Sequence, residues 1–147
     1  MTNNRKYLDF EIIKEPWNKY SLKDGSKLKT RVMLTAAWHI EENGIREYSV
    51  EIETFNIFMC DPSLQGTKNQ TRYTEEQIRK NIEVDDSRYT TISYETNEYL
   101  LDDNTRIIIH SNIEKINRTR LFDENGDRIY DISMQASVTI TPPKQIV

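Results

Sequence analysis

The sequence predicts an all-β chain with one short helix, an internally duplicated four-strand unit forming an eight-stranded sandwich or barrel. Three observations predict it: long runs in which apolar and polar residues alternate, four turn dipeptides that tolerate positive φ, and a residue pattern that occurs twice in the same order. The first copy of that pattern, Asn18-Lys19-Tyr20-Ser21-Leu22-Lys23-Asp24-Gly25, lines up with Asn97-Glu98-Tyr99-Leu100-Leu101-Asp102-Asp103-Asn104, 79 positions later. A second block, Glu42-Asn43-Gly44 followed by Tyr48, Val50 and Ile52, lines up with Glu124-Asn125-Gly126 followed by Tyr130, Ile132 and Met134, now 82 positions later. A short insertion in the second long hairpin explains the change of offset, and Phe10 then falls opposite Tyr89. Two blocks in the same order at nearly the same offset argue for duplication over coincidence. The repeats span about 7–62 and 88–143, with a linker at about 63–87, inside one compact domain over 1–147.

Each repeat reads as four strands. In the first, residues 7–14, 19–23, 27–40 and 45–60 have strand periodicity; in the second, 88–95, 98–101, 105–121 and 128–141 do. Leu28, Thr30, Val32, Leu34, Ala36 and Trp38 alternate with Lys29, Arg31, Met33, Thr35, Ala37 and His39, which assigns the first row to a core and the second to solvent. Tyr130, Ile132, Met134, Ala136, Val138 and Ile140 alternate just as cleanly with polar residues. Asp24-Gly25, Asn43-Gly44, Asp103-Asn104 and Asn125-Gly126 supply the turns.

The alternation fails at one place. Beyond Ile52 the polar row of Ser49, Glu51 and Glu53 becomes Phe55, Ile57 and Met59, so that half-strand is apolar on both faces. Thr74-Glu75-Glu76-Gln77 is a capping-box pattern, and Ile78 and Ile82 follow at helical spacing. The linker therefore predicts a helix over about 74–84 that covers the Phe55 patch with Ile78 and Ile82. The competing expectation leaves the patch open as an association surface.

Composition bounds the function. The chain has 147 residues with a formal charge of -4, 36% apolar and 30% charged residues. That is long enough for a core without metal or disulfide staples, yet too acidic for wholesale nucleic-acid binding through a basic surface. The single Cys60 cannot form an internal disulfide and reads as an inert thiol. Residues 1–6 lack the apolar segment of a secretory leader, and no run is long enough for a membrane helix, so the expected location is the cytoplasm. Asn69-Gln70-Thr71 and Asn117-Arg118-Thr119 then read as chance glycosylation sequons.

Chemistry is thinly supported. The two histidines, His39 and His110, are not equivalent in the repeat and lie near no CxxC or HxxxH pattern, so no metal is expected. Asp123-Glu124-Asn125-Gly126-Asp127 begins like a calcium loop, but Arg128 and Met134 stand where Gly and Glu are required; a hairpin turn is the better account. The acidic pairs Glu41-Glu42, Glu75-Glu76, Asp85-Asp86 and Asp102-Asp103 fall at turns or a helix start, and no phosphate loop, nucleophile elbow or dinucleotide fingerprint is present. No cofactor or catalytic residue is assigned.

These readings favour a non-catalytic binding or assembly module that engages another protein or itself, with Trp17, Phe55, Ile57 and Met59 as interface candidates. The alternative is a single-stranded nucleic-acid-binding barrel using Lys29, Arg31, Lys115, Arg118 and Arg120. An enzyme of unknown reaction, with His39, His110 and carboxylates converging in space, stands third.

Overall fold

The computed structural model of the protein describes residues 4–143 and is mostly β. Residues 1–3 and 144–147, the ends of the expected domain, lie outside the described residues. The strands are β1 (Lys6–Tyr7), β2 (Phe10–Lys14), β3 (Asn18–Leu22), β4 (Lys27–Glu42), β5 (Ile45–Met59), β6 (Ile82–Val84), β7 (Tyr89–Ser93), β8 (Asn97–Leu101), β9 (Arg106–Phe122) and β10 (Arg128–Thr141). Two short strands, β1 and β6, thus add to the eight expected. The linker holds a 3-10 turn, Pro62–Leu64, and one helix, α1 (Glu75–Lys80).

All pairing is antiparallel and forms two five-stranded sheets that do not close on themselves. In sheet A, β5 occupies one edge of β4 along its whole length, so β3 and β1 share the other edge, pairing with residues 27–30 and 38–39; β7 lies beyond β3. Sheet B repeats this order: β10 takes one edge of β9, β8 and β6 share the other, and β2 lies beyond β8. The second strand of each half is therefore paired in the other half's sheet. Phe10 of β2 packs edge-on against Tyr99 of β8 at 5.7 Å, and Tyr89 of β7 packs edge-on against Tyr20 of β3 at 5.5 Å.

The turns form as their residues dictate. Gly25, Asn43, Gly44, Asn104 and Gly126 all have positive φ, the region that Gly adopts freely and Asn and Asp more readily than other side chains. Gly126 is also bound by contact, since a Cβ there would sit 2.6 Å from the Gly66 carbonyl oxygen.

Two apolar clusters join the sheets. One holds Val32, Leu34 and Ala37 of β4 against Tyr99, Leu101, Ile107 and Ile109 of sheet B; the other holds Tyr20, Leu22 and Leu28 against Ile113 and Ile116 of β9. The expected core row changes partway along β4. A bulge between Leu34 and Ala36 leaves Thr35 without a partner on β5, and the parity flips: Ala37 and His39 become buried, while Ala36 leaves the core row. Trp38 then faces outward, sheltered by Tyr7 of β1 at 6.0 Å and by the Arg5 guanidinium 4.4 Å above its ring. A matching irregularity leaves Glu114 of β9 without a partner on β10.

The helix departs from expectation. The capping box forms as the sequence requires, with the Thr74 hydroxyl accepting from the Gln77 N–H and the Gln77 side chain accepting from the Thr74 N–H. Asn81 ends the helix, and Ile82 leaves it to pair with Thr119 as part of β6. The remaining helix packs mainly against β9 and β10, and Phe55, Ile57 and Met59 stay exposed. Ile78 and Ile82 therefore do not cover the Phe55 patch. No helix among the described residues is long and apolar enough to cross a membrane.

Candidate interaction face

The outward side of β3, β4 and β5 is built from three rungs fixed by register. Arg31 stands opposite Phe55; Lys29 stands between Lys19 on β3 and Ile57 on β5; Lys27 stands between Ser21 and Met59. Strand alternation sends these side chains away from the core because their neighbours Leu28, Thr30 and Val32 are buried. Phe55, Ile57 and Met59 remain 42%, 41% and 47% exposed, so the apolar row is open along its length. Trp17, in the connection from β2 to β3, lies on the same face: the Lys29 Nζ is 4.9 Å and the Arg31 guanidinium 5.6 Å from its ring centre.

The face is positive. Among the described residues Lys19, Lys27 and Lys29 have no carboxylate within ion-pair distance, while Arg31 pairs with Glu15 at 2.7 Å. Lys19 and Lys29 are direct cross-strand neighbours, an arrangement of like charges that costs stability. Glu15 has a different role. Its carboxylate is nearly buried, accepting one hydrogen bond from Arg31 and another, at 2.7 Å, from the Tyr99 hydroxyl, which ties the face to the core. Burial first, and this bond to Glu15 second, push the Tyr99 hydroxyl up to about 12.

Arg31→Ala would leave the Glu15 carboxylate buried with one partner fewer, so it is expected to destabilise by about 2 kcal/mol in urea unfolding. Lys29→Ala, which removes no buried partner, is expected to stay within about 0.5 kcal/mol of the parent. Lys29 is accordingly the cleaner probe of the face.

Sheet B offers an internal comparison, because corresponding positions share its pairing. Where sheet A has Arg31 beside Phe55, sheet B has His110 beside Ser137; Lys29 beside Ile57 becomes Ile108 beside Thr139; Lys27 beside Met59 becomes Arg106 beside Thr141. Glu98 replaces Lys19 and neutralises Arg106 at 2.5 Å. Trp17 is replaced by Thr96. Sheet A thus presents an apolar and cationic face, whereas the corresponding positions of sheet B are polar apart from Ile108, with Arg106 paired to Glu98.

The predicted basic set is divided. Lys29 and Arg31 lie on the face just described; Lys115, Arg118 and Arg120 are on β9 and are engaged within the molecule. Lys115 pairs with Asp85 at 2.7 Å, and that hydrogen bond raises its pKa. Arg118 stands opposite Tyr130 and bonds Asp24 at 3.2 Å and Glu83 at 3.1 Å, while Arg120 donates to the Ile82 carbonyl. The two histidines do not converge: His39 is buried edge-on against Tyr48 at 5.6 Å in sheet A, and His110 is exposed on sheet B. Burial raises the Cys60 pKa, which disfavours its thiolate. Hollows lie elsewhere: one of ≈ 540 Å³ beside His110, Gln135 and Ser137 on sheet B, one of ≈ 430 Å³ between residues 69–73 and the β9–β10 turn, and one of ≈ 420 Å³ beside Asp24 and Arg118.

Lys19, Lys27 and Glu15 were not singled out by the sequence pattern. Lys27 has the strand parity of Lys29 and Arg31, and Lys19 sits between the buried Asn18 and Tyr20, which was the available signal; Glu15 had none, since it lies between strands. The sequence matches no family model, and no curated protein or solved structure matches it.

Proposed function

We propose that this chain is a non-catalytic binding module, a duplicated, sandwich-like unit whose outer β3–β4–β5 face engages another protein. The observation that carries this reading is the contrast between the two sheets: an exposed apolar row and unneutralised lysines occur on one face and are absent from corresponding positions of the other. Folding alone supplies no reason for that difference. Exposed apolar rows and adjacent lysines both disfavour the free monomer, and a partner relieves both. Single-stranded nucleic acid is the second reading, favoured by Lys29 lying beside Trp17 with Lys19 and Lys27 on the same face. Against it, cations already lie over the Trp17 ring, and the β9 part of the basic set is engaged internally.

The test replaces the apolar row by the residues sheet B carries at the same positions: Phe55→Ser, Ile57→Thr and Met59→Thr together. Native mass spectrometry of the protein isolated gently from its own cells is expected to find the parent with a second protein and the triple variant without it, the variant remaining folded by circular dichroism. An unchanged complex would remove this face from consideration.

A further inference from the structure

The face is divided lengthwise, and the division bears on the shape of its partner. Phe55, Ile57 and Met59 run along β5, while Lys27 and Lys29 run along the adjacent β4 and Lys19 lies on β3. Neighbouring strands are about 4.8 Å apart, so the apolar row and the two lysine-bearing strands span about 10 Å, the width of one α-helix. Along the strands, three alternate residues cover about 13 Å, between two and three helical turns. An extended segment alternates its side chains and lays one row on the sheet, which suits a single row of contacts. A helix presents several adjoining rows and can meet apolar and charged strands side by side.

From this segregation we infer that the face receives an acidic amphipathic helix of a partner protein. Its apolar stripe lies on Phe55, Ile57 and Met59, and a flank of Glu or Asp lies over Lys19, Lys27 and Lys29. Charge complementarity selects this occupant: the three lysines have no carboxylate partner among the described residues, and opposed Lys19 and Lys29 would be relieved by carboxylates between them. A second copy of this surface would oppose lysines to lysines if the rows met directly. This inference rests on the protein-binding reading above and adds the partner's chemistry.

The test uses the isotopically labelled full chain and defined helical peptides. One peptide carries a leucine stripe flanked by glutamates; a second replaces those glutamates with glutamine, a third with lysine, and oligothymidylate serves as the nucleic-acid control. The acidic peptide is expected to shift the amides of Lys27, Lys29 and Ile57. Its affinity is expected to fall at least tenfold with glutamine in the flank, with Lys27→Glu/Lys29→Glu in the protein, and on raising the salt. Equal binding of the glutamine peptide at the same amides would overturn the acidic requirement and leave the protein-binding reading standing. Binding of none of the peptides would overturn this inference, the native mass spectra then judging the broader reading alone. Tighter binding of oligothymidylate at those amides would overturn both.

Discussion

Replacing Asp24 with alanine is expected to lower the unfolding free energy by about 3–5 kcal/mol, the cost of leaving one member of a buried ion pair uncompensated. The side chains of Asp24 and Arg118 are 8% and 17% exposed, and they bond at 3.2 Å across the two sheets. Asp24 also accepts from the Ser26 N–H at 2.8 Å and from the Tyr130 hydroxyl at 2.8 Å. Asp103 is its counterpart, accepting from the Thr105 N–H at 2.9 Å and the Tyr48 hydroxyl at 2.6 Å. Its cation, Arg46, is 3.9 Å away and half exposed, so Asp103→Ala is expected to cost about half as much.

The same bonds set an acid limit on stability. Burial pushes the Asp24 carboxyl up, but hydrogen bonds from Ser26, Tyr130 and Arg118 outweigh it and hold the group below its ordinary value. Asp103 is likewise held low against burial by Thr105 and Tyr48. A carboxyl lowered by folding contributes stability that is present above its unfolded pKa of about 4 and is lost as pH falls through the folded value. Urea midpoints should therefore drop below about pH 4, and less steeply in Asp24→Asn.

Ile116→Ala is the second large effect, expected at about 2–5 kcal/mol by urea unfolding. Ile116 is fully buried on β9 among Tyr20, Leu22 and Leu28 from the other sheet, so its loss opens a cavity where the sheets meet. Ile57→Ala, on the open face, is expected to change stability by no more than about 0.5 kcal/mol. That separation allows the face to be altered without unfolding the protein.

Local structure was the most legible part of the sequence. Asp24-Gly25, Asn43-Gly44 and Asn125-Gly126 became turns because few residues tolerate the positive φ found there, and Thr74 with Gln77 marked a helix start. Destinations were less legible. Periodicity tells which way a side chain points but not which strand lies alongside, so the exchange of β2 and β7 between sheets left no local mark. The irregularity at Thr35 carries no residue signature, and it moved Ala37 and His39 to the buried row. Ile82 fitted a helical stripe until Asn81 ended the helix and β6 took it. At the candidate face, Trp17 with the Phe55 row, and Lys29 with Arg31, looked like sites for different partners. Register joins them, because Lys29 is paired with Ile57 and Arg31 with Phe55.

The most direct test of the central claim compares matched positions on the two sheets in cells. A photo-crosslinking residue at Ile57 is expected to capture a second protein, and the same residue at Thr139, its counterpart on sheet B, is expected to capture none. Capture at Thr139 with none at Ile57 would contradict the assignment of the β3–β4–β5 face.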